Sequence, residues 1–147
     1  MPSYQHVIAG LDLSPESKQV MEKAKFLADN SNAKLSIAHI IEPLVFTYGG
    51  DIPMDISSIQ EQIRVQATSD LEKIGAEFGV ATENQFVLVG QPASELHDLA
   101  AKQNGDLIVV GSHGRHGLSL LLGSTSNSVL HGTECDVLAV RVKKSTD

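Results

Sequence analysis

The sequence predicts an α/β protein, built as an open, five-stranded, mostly parallel sheet of order 3-2-1-4-5 with helices on both faces, a Rossmann-like arrangement. Three observations predict it. Short apolar runs alternate with segments of helical periodicity from end to end, giving β-α-β-α-β-α-β-α-β. Runs such as Leu107 to Val110 are apolar at successive positions, as strands covered on both faces require. Each pair of strands is joined through a helix, which implies parallel pairing with right-handed crossovers.

The elements follow in order. Tyr4 to Asp12 reads as the first strand, ending at an acidic residue. Ser14 is a good N-cap and Pro15 suits the first helical position. Val20, Met21, Ala24 and Leu27 then recur on one helical face until Asn30-Ser31-Asn32. Lys34 to Ile41 is the second strand. Glu42 to Asp55, with Pro43, Gly49, Gly50 and Pro53, is a connection long enough for a lid, in which Phe46 and Tyr48 cover a ligand, a partner or the sheet edge. Ser57 or Ser58 opens a long helix whose apolar face is Ile63, Ala67, Leu71, Ile74 and Phe78, closed by Gly79. Asn84 to Val89 is the third strand, and a short helix with Leu96, Leu99 and Ala100 inward runs on to Gly105. The fourth strand begins at Leu107, a fourth helix spans Ser124 to His131, and Asp136 to Val142 is the fifth strand before a charged tail.

Composition bounds the function. At 147 residues, 15.7 kDa and 41% hydrophobic residues, the chain fits a single domain over residues 1–147. Its apolar runs are too short for a bilayer, and Met1-Pro-Ser-Tyr4 lacks the basic and apolar regions of an export signal, so a cytoplasmic protein without a membrane partner is expected. The single cysteine, Cys135, excludes an internal disulfide. It lies between Glu134 and Asp136, whose charges raise a thiol pKa, and reads as a buried structural residue. A net charge of −7 argues against a nucleic-acid groove, because phosphate neutralisation needs lysine and arginine. Any phosphate site must then rely on local backbone donors and on Arg115.

The stretch from Leu107 to Asn127 is the functional centre. Gly111, Gly114 and Gly117 let a ligand approach the main chain without meeting a Cβ. Gly123-Ser124-Thr125-Ser126-Asn127 can open a helix with free amides that attract anions. Together they read as a phosphate cradle, the alternative being a tight solvated turn. Neither GxxxxGK[ST] nor GxGxxG is matched. In open α/β sheets ligands bind beyond the carboxyl ends of the strands, where the winding reverses. In the 3-2-1-4-5 order Asp12 and Gly111 end neighbouring strands and face one crevice, which an adenine nucleotide fits. Asp12 would accept a ribose hydroxyl or hold a metal through water, with Ile40 and Ile41 as an apolar wall for the base. The alternative for Asp12 is capping of the first helix beside Ser14.

Asp12-Leu-Ser-Pro-Glu-Ser17, the strand with His39, Gly111-Ser-His-Gly114, Gly123-Ser124 and Cys135-Asp-Val-Leu-Ala-Val140 together resemble the universal stress protein A family over nearly the whole chain. The resemblance implies a small cytoplasmic protein, a homodimer joined through the last strand, here Asp136 to Val142. One branch of the family binds ATP or AMP through G-x2-G-x9-G-[ST]. Carried over by position, Gly10, Asp12, Ile40, Val110, Gly111, His113, Gly114, Arg115, Gly123, Ser124 and Thr125 would surround the nucleotide, with Mg2+ reached by Asp12 through water. This chain departs from that branch twice: eight residues separate Gly114 from Gly123 where the motif has nine, and Gly10 stands where binding members often carry proline. The N-terminal half also looks like the branch that does not bind nucleotide.

The competing classes are a nucleotide-binding stress regulator, a weak ATP hydrolase and a dimeric scaffold. His113 and His116 suit general acid–base work or phosphate contact, or are solvated loop residues. No nucleophile–base–acid order is legible. His6, His39, His97 and His131 fall on separate elements, so no histidine metal site is expected, and His39 reads as a core residue. The expectation is a binding protein with little or no turnover.

Overall fold

A computed structural model describes residues 3–43, 56–112 and 135–143. Strands His6–Gly10 (β1), Lys34–Ile41 (β2), Gln85–Val89 (β3), Leu107–Gly111 (β4) and Asp136–Val140 (β5) form one parallel sheet ordered β3-β2-β1-β4-β5, the expected order. The helices are Ser17–Ser31 (α1), Ile56–Phe78 (α2) and Pro92–Gln103 (α3), and a short 3-10 turn, Thr82–Asn84, precedes β3. Ile8 of β1 is flanked by Ser36 of β2 and Ile108 of β4.

Side-chain alternation divides the core in two. Val7, Ala9, Ile37 and Val109 pack with Val20, Met21 and Ala24 of α1 and Leu71 of α2. Ile8, Ala38, Ile108 and Val110 pack on the opposite face with Leu96, Leu99 and Ala100 of α3. Every residue of β1 is therefore buried, which explains its uninterrupted apolar run.

Several boundaries differ from the sequence reading. β1 ends at Gly10 rather than Asp12, although the Leu11 amide still donates to the Ala38 carbonyl at 2.9 Å, and β5 ends at Val140 rather than Val142. Ser14 does not cap α1 with its side chain. Leu13 takes a left-handed φ of 62°, the chain turns, and α1 starts at Ser17 with its amide on the Ser14 carbonyl at 3.0 Å. Pro15 thus lies before the helix, whereas Pro92 opens α3. Ile63 was expected to face inward; it is 37% exposed, as are nearly all the α2 side chains described before Ala67. At the end of α3 the left-handed cap is Asn104, φ 58°, not Gly105. Gly105 is required for another reason: a Cβ there would sit 2.6 Å from Ile8 Cδ1.

Cys135 is half-buried, with its thiol on the Gly105 carbonyl at 3.4 Å. Burial, with the charges of Asp106 and Asp136, pushes it up to about 11. The direction agrees with the sequence reading, with Asp106 as a carboxylate the sequence order did not suggest. The connection at 44–55 with Phe46 and Tyr48, the expected fourth helix and Glu134 lie outside the described residues. Among the described residues no helix is long and apolar enough to cross a membrane.

Candidate functional site

The sheet winds one way through β1, β2 and β3 and the other way through β4 and β5, so the reversal falls between β1 and β4. A crevice opens at the carboxyl ends of β1 and β2 beside that point. It holds about 260 Å³ including its open mouth and is lined by Gly10, Leu11, Asp12, His39, Ile40, Pro92 and Leu96. Gly10, Asp12 and Ile40 are thus brought together as the sequence predicts. Val110 is fully buried on the α3 face, and Gly111 ends β4 opposite Val140. Gly111 therefore continues a strand ladder rather than opening an unusual turn. Beyond it the Ser112 amide donates to the Val140 carbonyl at 2.7 Å. His113, Gly114, Arg115, Gly123, Ser124 and Thr125 lie outside the described residues.

Asp12 is fixed by the turn that follows β1. Its Oδ1 accepts the Ser14 amide at 2.9 Å and the Ser17 hydroxyl at 3.1 Å, so the carboxylate does organise the start of α1. Burial opposes its ionisation, but the hydrogen bonds from Ser14 and Ser17 outweigh that and hold the carboxyl below its ordinary value. The result is a half-buried carboxylate that stays charged and lines an otherwise largely apolar crevice. Capping uses one oxygen; Oδ2 keeps its capacity to accept from a hydroxyl or from a metal-bound water.

His39 is not a core residue. It is half-buried at the carboxyl end of β2, lines the crevice, and bonds through Nδ1 to the Leu11 carbonyl at 2.8 Å. Leu11, between two predicted site residues, was missed as well, as were Pro92 and Leu96 of α3. Periodicity assigned Leu96 to the core, where it also belongs. The signal that finds them is topological: in a parallel sheet every strand-to-helix turn emerges at the same end, so the start of α3 must overhang the crevice. Among the described residues no group of three His, Cys, Asp or Glu side chains is placed to hold a metal ion.

An open parallel sheet whose winding reverses beside a crevice with an ionised carboxylate defines a doubly wound α/β protein with a candidate ligand site at the switch point. Residues 3–141 match the universal stress protein family, and the chain belongs to that family. It is 41% identical over 142 residues to universal stress protein A homolog 1 of Coxiella burnetii, covering 96% of this chain and 99% of the relative. Homolog 2 of the same organism is 40% identical over 147 residues, covering 99% and 100%. Among solved structures, a universal stress protein in complex with cAMP is 27% identical, covers 95% of this chain and 98% of its own, and superposes with a TM-score of 0.62. The universal stress protein UspA from Lactobacillus plantarum shares the fold, with a TM-score of 0.72 at 18% identity, covering 95% of this chain and 99% of its own.

Proposed function

We propose that this protein binds an adenine nucleotide, ATP or AMP, at the crevice between β1, β2 and α3, and works as a stress-response binding module rather than as an enzyme. The observation that carries the reading is the relative in complex with cAMP, an adenine nucleotide, at 27% identity over 95% of this chain. In this reading Ile40 and Leu96 enclose the base and Oδ2 of Asp12 accepts a ribose hydroxyl. The chain then passes over Gly111 to His113, Gly114 and Arg115, with Gly123, Ser124 and Thr125 supplying amides and hydroxyls to the phosphates and Mg2+ held by Asp12 through water. The protein is a single cytoplasmic domain that dimerises through the edge strand Asp136 to Val142, and occupancy alters its dimer or its partners.

The experiment is mass spectrometry of the ligand released from freshly purified protein, followed by calorimetry with ATP, AMP and cAMP on the parent and Asp12→Ala. A released adenine nucleotide, and affinity lost in Asp12→Ala, are expected. A parent that binds none of the three would leave the scaffold reading, and steady phosphate release from ATP the hydrolase reading.

A further inference from the structure

The chain that leaves β5 is gripped by a side chain of α1. Gln19 Nε2 donates to the Lys143 carbonyl at 2.7 Å, and the Lys143 amide donates to Gln19 Oε1 at 2.9 Å. One side-chain amide thus exchanges both backbone bonds of Lys143, as a residue of a neighbouring strand would, although β5 has already ended at Val140. Val142, between them, is buried in the core cluster that holds Val20 and Met21 of α1. The segment therefore stays on the helix instead of leaving the surface. On the same turn of α1 the Gln19 amide donates to the Glu16 carbonyl at 3.0 Å, and the Ser17 hydroxyl donates to Asp12 Oδ1 at 3.1 Å. Asp12, at the end of β1, and Lys143, past the outer strand, are thus joined through one helical turn. That turn bridges the reversal of the sheet, because β4 lies between β1 and β5 and α1 packs on all three.

We propose that Gln19 is a latch coupling the turn after β1 to the outer strand: the start of α1 and the segment after β5 shift as one unit. Whatever displaces Asp12 is then felt at Lys143, and whatever pulls on β5 is felt at Asp12. Coupling of this kind needs an element with two arrangements, and the latch has them. Closed, Gln19 holds Lys143. Open, the side-chain amide and both backbone groups of Lys143, an exposed residue, exchange these bonds for water at a small net cost. An exchange so nearly balanced lets modest strain at either end move the equilibrium, and linkage requires the effect to run equally in both directions. The coupling belongs to the free chain and stands whether or not a nucleotide binds. Where one binds at Asp12, the latch is the route by which occupancy reaches the strand proposed above to join two copies.

Two variants of the ligand-free protein test it from opposite ends. Ser17→Ala removes a bond to Asp12 in which Lys143 has no part. Exchange of the Lys143 amide with water, read by NMR, should nevertheless rise about fivefold in Ser17→Ala, and about tenfold in Gln19→Ala, which breaks the latch itself. The Lys34 amide, bonded to the Gln5 carbonyl at the amino ends of β1 and β2, is the control and should keep its parent rate. In the reverse direction, Asp12 bonds to Ser14 and Ser17, not to Gln19. Its carboxyl, followed by carbon-13 NMR, should still titrate at higher pH in Gln19→Ala, because a looser helix start holds the ionised form less well. A Lys143 rate that Gln19→Ala or Ser17→Ala leaves unchanged overturns the proposal. So does a rate that rises only as far as that of Lys34, or an Asp12 titration that Gln19→Ala leaves in place. None of these outcomes bears on whether the crevice takes a nucleotide, which calorimetry reads separately.

Discussion

The imidazole Nε2 of His6 lies 2.7 Å from the hydroxyl of Ser36, between two neighbouring strands, in a pair that is almost wholly buried. His6 Nδ1 donates to the Gln103 carbonyl at 2.8 Å, so Nε2 must accept and Ser36 must donate. One ring thereby joins β1, β2 and the end of α3. Ser36→Ala leaves that acceptor buried with no donor and should cost about 1–3 kcal/mol in urea unfolding. A loss within error would mean that the ring turns or hydrates freely.

The same burial makes stability depend on pH. Burial holds the His6 ring below the ordinary histidine value, although the bond to Gln103 and the charge of Asp106 pull it upward. His97 of α3 is depressed by burial as well, with Asp98 opposing. Both rings bind a proton less readily folded than unfolded, so their stabilisation is complete above about pH 6.5 and is lost as pH falls from there through the folded values. Asp12, also depressed, adds a loss only below about pH 4, where unfolded carboxylates protonate. The urea midpoint should therefore fall between about pH 7 and 5, before any carboxylate contributes.

His97 differs from His6 in that neither of its buried ring nitrogens has a hydrogen-bond partner among the described residues. Replacing an unsatisfied polar ring by a shape-compatible apolar side chain removes a desolvation cost. His97→Leu should raise stability by about 1 kcal/mol at pH 7 and flatten part of the loss on acidification. A destabilised variant with an unchanged pH profile would show that the ring is satisfied after all.

Much of this was legible in the sequence because a parallel sheet writes itself as apolar runs. Lys34–Ile41 falls where the pattern puts it, and alternation with right-handed crossovers gives a parallel sheet, but the 3-2-1-4-5 order is only one of the doubly wound orders that pattern allows. Local chemistry was harder to read. Ser14-Pro15 looks like a cap followed by a first helical residue, yet the left-handed turn at Leu13 places Asp12 over the helix start and moves it to Ser17. Burial at the rim of a sheet is also invisible to periodicity: His39 and Ile40 come just after the fully buried middle of their strand and are only half-buried. Gly10, Asp12 and Ile40 were found because they end strands, whereas Pro92 and Leu96 start a helix and required the topology first.

Cys135 bears on redox sensing. A thiol at about 11, half-buried and bonded to the Gly105 carbonyl, holds about a hundredfold less thiolate than an ordinary one. Alkylation by iodoacetamide at about pH 8 should be slower in the folded protein by at least that factor, and should recover in urea. Folded protein that reacts at the unfolded rate would place the thiol in an open, ionising environment.

Gly10 ties the core to the crevice. A Cβ built on it would stand 2.9 Å from Leu96 Cδ1 and 3.3 Å from Val110 Cγ1, so its bare Cα is what lets Leu96 pack flat against β1. Val110 is locked in a strand, while Leu96 also lines the crevice and has open space on that side. Gly10→Ala should thus push the Leu96 methyl into the crevice, costing about 1–2 kcal/mol of stability and, where the crevice takes the proposed nucleotide, weakening that binding together with it. Leu96→Ala alone, removing a fully buried side chain, should cost about 2–5 kcal/mol. In the Gly10→Ala background the same truncation relieves the clash, so its cost should be smaller by about 1 kcal/mol, a coupling expected only of groups in contact. Additive costs in that double-mutant cycle would mean that β1 and α3 move apart instead, and affinity for the nucleotide would then be unaffected by Gly10→Ala.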